Sequence, residues 1–308
     1  MNYNEMPNDA AIYEKAYAEL EYAAKLHKAG MFEEPLMFLC SGKEYGKPLL
    51  FNDGVKFRPG EVTLWCGVNG QGKSLLTGQV ALQLGEQGAR CAIMSFEMTP
   101  PRTILRLMRQ RLDHKPCVED VAPFLAYLDD KMIFLNYTGA IKPEIIIGAS
   151  IFANRDFGCS HVFIDNLMKV VHGEDDYNAQ KDFVQKCTDI ARETGLHIHI
   201  VHHARKGQSE EDNIDKFSVK GSGAIVDLVD NAILIHRNKK KERLARENGL
   251  SPAEDMDMPD STLLVAKQRN GDYEGEIPLW FDKYTTAFCP DVSRKPLWGN
   301  NVLIQSDN

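Results

Sequence analysis

Eight consecutive residues constrain this chain more than any other feature. Gly67-Val68-Asn69-Gly70-Gln71-Gly72-Lys73-Ser74 fits the pattern G-x-x-x-x-G-K-[ST] without exception. The glycines let backbone N–H groups turn inward around a β-phosphate, at a helix N-terminus that already favours an anion. Lys73 is placed to reach the β- and γ-phosphates, the Ser74 hydroxyl to ligate Mg²⁺, and Leu75 carries the loop into its helix. The flanks agree. Val62, Leu64 and Cys66 read as an apolar strand before the loop, and 74–85 as a helix after it. A nucleoside triphosphate with Mg²⁺ is the expected ligand.

From about residue 48 onward, strand-like and helix-like stretches alternate. Strands are expected at 90–97, 132–136, 161–165, 196–202, 231–236, 262–268 and 276–281, and helices at 102–112, near 143–153 and at 179–194. Such alternation predicts an α/β fold with a mostly parallel central sheet flanked by helices. A separate helix is expected at 9–29, with Tyr13, Tyr17, Leu20 and Ala24 on one face. The domain reading is therefore a helix and linker over 1–44, a catalytic domain over 45–289, and a loosely held tail over 290–308. The Lys239–Lys241 run reads as a solvated hairpin.

Composition excludes several classes. The chain carries no run of roughly 20 apolar residues, so no membrane span is expected. Its start, MNYNEMPNDA, lacks a basic region and an apolar signal core, which points to the cytoplasm. Seven cysteines stand in no C-x-x-C pair and read as reduced thiols rather than a metal centre. A net charge of −8 does not announce a polyanion partner, yet a basic lining can be hidden in a channel.

Two carboxylates complete the phosphate chemistry. His161-Val162-Phe163-Ile164-Asp165 is an apolar strand ending in an acid, where Asp165 can hold Mg²⁺ through water. Ser95-Phe96-Glu97-Met98 ends another strand, expected beside the phosphate loop, where Glu97 can polarise the attacking water. Each also has a plainer reading, as a turn cap or a helix-terminal acid.

Three further segments carry a family resemblance: Ile198 to His203 followed by Ala204-Arg205-Lys206, then Lys220-Gly221-Ser222-Gly223-Ala224-Ile225, then Ala266-Lys267-Gln268-Arg269-Asn270-Gly271. With Ser-Phe-Glu-Met, they resemble the RecA-like ATPase domain of DnaB-type replicative hexameric helicases, in the branch of phage primase-helicases and Twinkle, over roughly 45–285. The resemblance implies an ATP-driven ring, a hexamer, moving 5′–3′ on single-stranded DNA and working with a separate primase or polymerase. It implies a γ-phosphate sensor at His203, or else His202; the two point to opposite faces of a strand, so only one can serve. It makes Lys267 and Arg269, two apart on one strand face, the pair that reaches a neighbour's γ-phosphate. It sets Arg237 and Phe281 around the nucleotide base. DNA contact falls to the 204–220 segment, through Arg205, Lys206, Lys216 and Lys220. The helix at 9–29 resembles the family's linker helix, and no primase domain is read in the chain. A filament-forming recombination ATPase shares the fold, loop and glutamate, and a nucleotide-gated loading scaffold is the non-enzymatic alternative.

Overall fold

The computed structural model describes residues 46–137, 141–171, 177–203, 223–247, 249, 251, 255 and 257–298. An antiparallel hairpin comes first, β1 (Lys47–Leu49) and β2 (Asn52–Phe57). Next come β3 (Val62–Gly67), α1 (Lys73–Glu86), β4 (Cys91–Ser95), α2 (Pro100–Arg111), α3 (Val121–Leu128), β5 (Met132–Phe134), α4 (Pro143–Phe157) and β6 (His161–Asp165). The second half runs α5 (Leu167–Val170), α6 (Tyr177–Thr194), β7 (His197–His203), α7 (Gly223–Leu228), β8 (Asn231–Arg237), α8 (Lys239–Arg246), β9 (Ser261–Gln268), β10 (Gly275–Asp282) and β11 (Ala287–Cys289). The helix expected at 9–29 and the cations Arg205, Lys206, Lys216 and Lys220 lie outside the described residues.

Among the described residues nine strands make one sheet, in the order β11-β10-β9-β8-β3-β7-β6-β4-β5. The six from β8 to β5 are parallel, and β9, β10 and β11 extend them antiparallel. This is the mostly parallel α/β sheet that the alternation predicts. One expectation needs correcting. The end of β4 is not beside the phosphate-loop strand, because β7 and β6 stand between β4 and β3.

Both faces of the parallel strands are apolar, so both need cover. Val62, Leu64 and Cys66 of β3 share one face with Ile198, Ile200, Val162 and Ile164, and Phe183, Val184 and Cys187 of α6 and Ile146 of α4 close over them. Trp65 faces the other way, with Ile93, Phe163, Val201 and Ile233, beneath Leu76 and Val80 of α1 and Leu107 and Met108 of α2. That second face also holds three buried histidines. His197 Nδ1 donates to Arg58 O at 2.6 Å, which leaves Nε2 to accept from the Thr63 hydroxyl at 2.8 Å. His199 Nδ1 accepts from Trp65 Nε1 at 3.2 Å, so its Nε2–H donates to His161 Nδ1 at 3.2 Å, and its ring stacks 4.0 Å from Phe163. All three rings are neutral, and burial lowers their proton affinity.

The outer edge of the sheet is closed by a side chain. Gln79, on α1, donates Nε2 to Phe288 O at 2.8 Å and accepts from Phe288 N through Oε1 at 2.7 Å. Its amide thus makes the two hydrogen bonds of one more strand residue. The stretch after Pro290 is tied down as far as it is described, which corrects the loose tail expected there. Leu297 O accepts from Gln83 Nε2 at 3.0 Å, and Trp298 lies under the Arg111 guanidinium at 5.3 Å. The solvated hairpin expected at Lys239–Lys241 is instead the start of α8. Asn238 caps it, accepting from Lys241 N at 2.9 Å. Lys241 turns inward and is buried, with Asp260 at 2.8 Å and Asp255 at 3.1 Å, because partners far along the chain neutralise it.

Candidate nucleotide site

The phosphate loop joins β3 to α1, and its backbone explains its glycines. Gly72 caps α1 at φ 90°, a left-handed conformation that side chains rarely adopt. At Gly67 an added Cβ would lie 2.8 Å from Ile235 O, so β8 runs too close for any side chain. Helical bonding resumes with Leu76 N donating to Gly72 O at 2.9 Å, and the first-turn N–H groups face the loop. Gln71 Oε1 accepts from Arg237 N at 2.7 Å, fastening the loop to the end of β8. Lys73 Nζ rests on Gly67 O at 2.8 Å and Val68 O at 3.1 Å, a docked position from which it can swing to an incoming phosphate. Burial lowers its proton affinity, offset by the charges of Cys66, Asp165 and Glu97.

Parallel register brings the other strand ends to the same rim. Gly67 pairs with His203, Asp165 lies opposite Val201 and Ser95, and Glu97 stands two residues beyond Ser95. A cavity of about 890 Å³ opens there, and Asn69, Gly70, Gly72, Lys73, Ser74 and Leu75 line it on one side. Glu97, His203 and Arg237 line it on the other. The structure resolves the histidine pair. His203 faces this cavity, 3.8 Å from Glu97 Oε1, while His202 is buried on the opposite face with its proton affinity pushed down to about 4 by burial. Burial pushes the Asp165 carboxyl above its ordinary value; the Ser74 hydrogen bond and the Lys73 charge oppose this, and Glu97 adds to it.

The donor set fits magnesium. Ser74 and Asp165 offer hard oxygens in contact with each other, and Asp165 Oδ1 is buried with no hydrogen-bond donor among the described residues. Among the described residues no group of three or more His, Cys, Asp or Glu surrounds a metal position. One or two protein oxygens are what Mg²⁺ takes when phosphates and water fill the rest of its shell.

Arg237 and Phe281, expected around the base, both line a smaller cavity of about 160 Å³ on the far side of Gln71 and Gly72, with Phe288. Glu242 holds the Arg237 guanidinium. Lys267 and Arg269 are not brought to this rim. β9 runs antiparallel, so Ser261 pairs with Arg237 while Gln268 pairs with Asn231 at the other rim, roughly 20 Å away along the strand. There Lys267 Nζ donates to Val226 O and Val229 O at 2.8 Å, and Arg269 pairs with Asp230 at 2.9 Å.

Two groups escaped the sequence reading. Arg102, Arg106 and Arg109 sit four and three residues apart on α2 and line the large cavity, and Arg109 is tied to Tyr284 O at 3.1 Å. Their spacing, directly after Glu97, is the signal that was available. Asn166, the residue after Asp165, is 1% exposed and touches both Glu97 and His203, for which no pattern existed.

The profile of the AAA-domain family matches residues 53–209, half of the chain, from within β2 to beyond β7. The chain belongs to the AAA-domain family. Among solved structures, this AAA domain is similar to a helicase-sized ATPase domain, at 14% identity and a TM-score of 0.64, over 92% of this chain and 99% of that one. It is also similar to a DnaB-like replicative helicase whose structure was solved with its interactions with primase, at 14% identity and a TM-score of 0.65, over 91% and 73%. The AAA domain thus has the fold of DnaB-like helicase ATPase domains, as the resemblance implied. Among its described residues no helix is long and apolar enough to cross a membrane.

Proposed function

We propose that this AAA domain hydrolyses ATP to drive a helicase ring along single-stranded DNA. The observation that carries the reading is the meeting of four strand ends at one cavity: the loop after β3, Glu97 after β4, Asp165 at the end of β6 and His203 at the end of β7. A chain that only held nucleotide would have no need of a water-activating acid there. In this reading the loop amides and Lys73 hold the β- and γ-phosphates. Glu97 polarises the attacking water and takes its proton, and His203 donates to the γ-phosphate. Mg²⁺, held by Ser74 and Asp165, supplies charge neutralisation on the phosphates. Arg237 and Phe281 flank the base.

Lys267 and Arg269 serve the next subunit's nucleotide. Their place on the rim away from their own phosphate loop supports this, because within one chain they have no route to it. Ring assembly, 5′–3′ movement, DNA contact by 204–220 and a separate primase or polymerase complete the proposal by resemblance.

ATPase assays with and without single-stranded DNA, strand displacement on a forked duplex, and negative-stain imaging with an ATP analogue test it together. DNA-stimulated hydrolysis, unwinding and closed rings are expected. Open filaments without unwinding would replace it with the recombination reading.

A further inference from the structure

β6 lies between β7 and β4 in the sheet, so a residue just past its end can touch the segments beyond the ends of both neighbours. Asn166 does. Its Nδ2 donates to Glu97 Oε1 on one side and to His203 Nε2, at 2.9 Å, on the other. Glu97 and His203 are themselves 3.8 Å apart, beyond a direct hydrogen bond. The amide orientation is set by chemistry, since a carboxylate only accepts and must therefore meet the NH₂. The second N–H of that NH₂ then needs a lone pair on His203 Nε2, which fixes the neutral imidazole with its proton on Nδ1.

Plainer roles for Asn166 are excluded by its contacts. It occupies the cap position of α5, yet its side chain makes no capping bond; the bond from Lys169 N goes to its backbone carbonyl. Its Oδ1 is buried with no donor among the described residues, so the side chain is held through its NH₂ alone. A side chain that served only to fill space at this turn would not need an amide, and leaving its oxygen unsatisfied is a cost.

We propose that Asn166 is a positioning residue that locks Glu97 and His203 to each other, so that water activation and γ-phosphate contact are set as one unit. Without it, Glu97 stands on a turn with no other side-chain hydrogen bond among the described residues. The tautomer of His203 is then also unset. A carboxylate displaced by an ångström from its water loses much of the benefit of orientation. The inference rests on the hydrolase reading above.

The test uses the full chain with Asn166→Ala and the isosteric Asn166→Asp, measuring kcat and KM for ATP from pH 5.5 to 9, and binding of a fluorescent non-hydrolysable ATP analogue. For Asn166→Ala, kcat should fall on the order of 10- to 100-fold with KM and analogue binding within about threefold of the parent. For Asn166→Asp, a second carboxylate beside Glu97 should move the acid limb of kcat up by about one pH unit. Placed in a Glu97→Gln background, Asn166→Ala should cost no further activity, because the group it positions is already silent. Parental kcat and pH profile in both variants overturn the role. Should Asn166→Ala fail to fold, Asn166→Asp decides: an unmoved acid limb overturns it. Equal loss in the Glu97→Gln background also overturns it, by showing a general structural effect. A parent chain that hydrolyses no nucleoside triphosphate removes the hydrolase reading and this inference together, whereas an active parent matched by its variants removes this inference alone.

Discussion

Glu97 stands two residues beyond the end of β4, close enough to Lys73 for the two charges to feel each other. Replacing it by glutamine keeps the shape and removes the proton acceptor. Glu97→Gln should therefore bind an ATP analogue as the parent does and hydrolyse ATP at least about 100-fold more slowly. Near-parental turnover would return Glu97 to the rank of a helix-terminal acid. Lys73→Ala is expected to abolish hydrolysis and unwinding, since a charge-assisted contact to a developing phosphoryl charge is worth about 3 kcal/mol or more. An active Lys73→Ala protein would remove the phosphate-loop assignment. These residues were legible because each stands where an apolar strand meets a turn, and ligands of such sheets gather at strand ends. Asn166 and Arg106 were not. The first gains its meaning from two neighbours that are remote in sequence, and the second from the direction in which α2 faces.

At the level of elements, hydrophobic alternation located most strands and helices, while the order of strands in the sheet was out of its reach. Periodicity says which residues share a face and nothing about which strand lies alongside. That is why β4 was expected beside β3 and is found beyond β7 and β6. The short hairpin β1–β2 and the two-turn α3 were also missed, being too brief for a periodic signal. α8 shows how charge misleads. Three lysines in a row look solvated, yet Lys241 is buried, and it shares Asp255 and Asp260 with Arg294, which reaches them at 3.1 and 3.0 Å. This cluster joins α8, the start of β9 and the segment after β11. Lys241→Ala strands two carboxylates beside a cation that cannot satisfy both alone. It should lower stability by about 2 kcal/mol, read from the urea midpoint. Because the same cluster walls the cavity holding Arg237 and Phe281, weaker analogue binding should accompany the loss. An unchanged midpoint would show that the cluster contributes nothing net.

The whole molecule carries two expectations. Folding keeps His161, His197, His199 and His202 neutral, with His197 and His202 pushed down from 6.5 to about 4 and the other two also lowered. The unfolded chain therefore binds more protons between those limits, and stability, fully present above 6.5, is lost as pH falls through that window. Each ring adds a slope of up to about 1.4 kcal/mol per pH unit. Urea midpoints should drop steeply from pH 7 to 5, and a level curve would contradict the buried-histidine account. The second expectation concerns Arg269, which faces the rim away from its own phosphate loop. Arg269→Ala and Lys73→Ala should each be inactive alone. Mixed, a Lys73→Ala subunit lends its intact Arg269 to a neighbour with an intact loop, and DNA-stimulated hydrolysis should partly return. If tagged pull-down proves mixed assemblies and no activity returns, the shared-site proposal fails. Gln79 has a consequence of another kind. A sheet whose last strand shows bare N–H and C=O groups is an invitation to any passing strand, from a nascent chain or a misfolded copy. Here one glutamine, standing on the helix that begins at the phosphate loop, answers both groups of Phe288 and turns that invitation away, so resistance to clumping at this border is vested in a single amide.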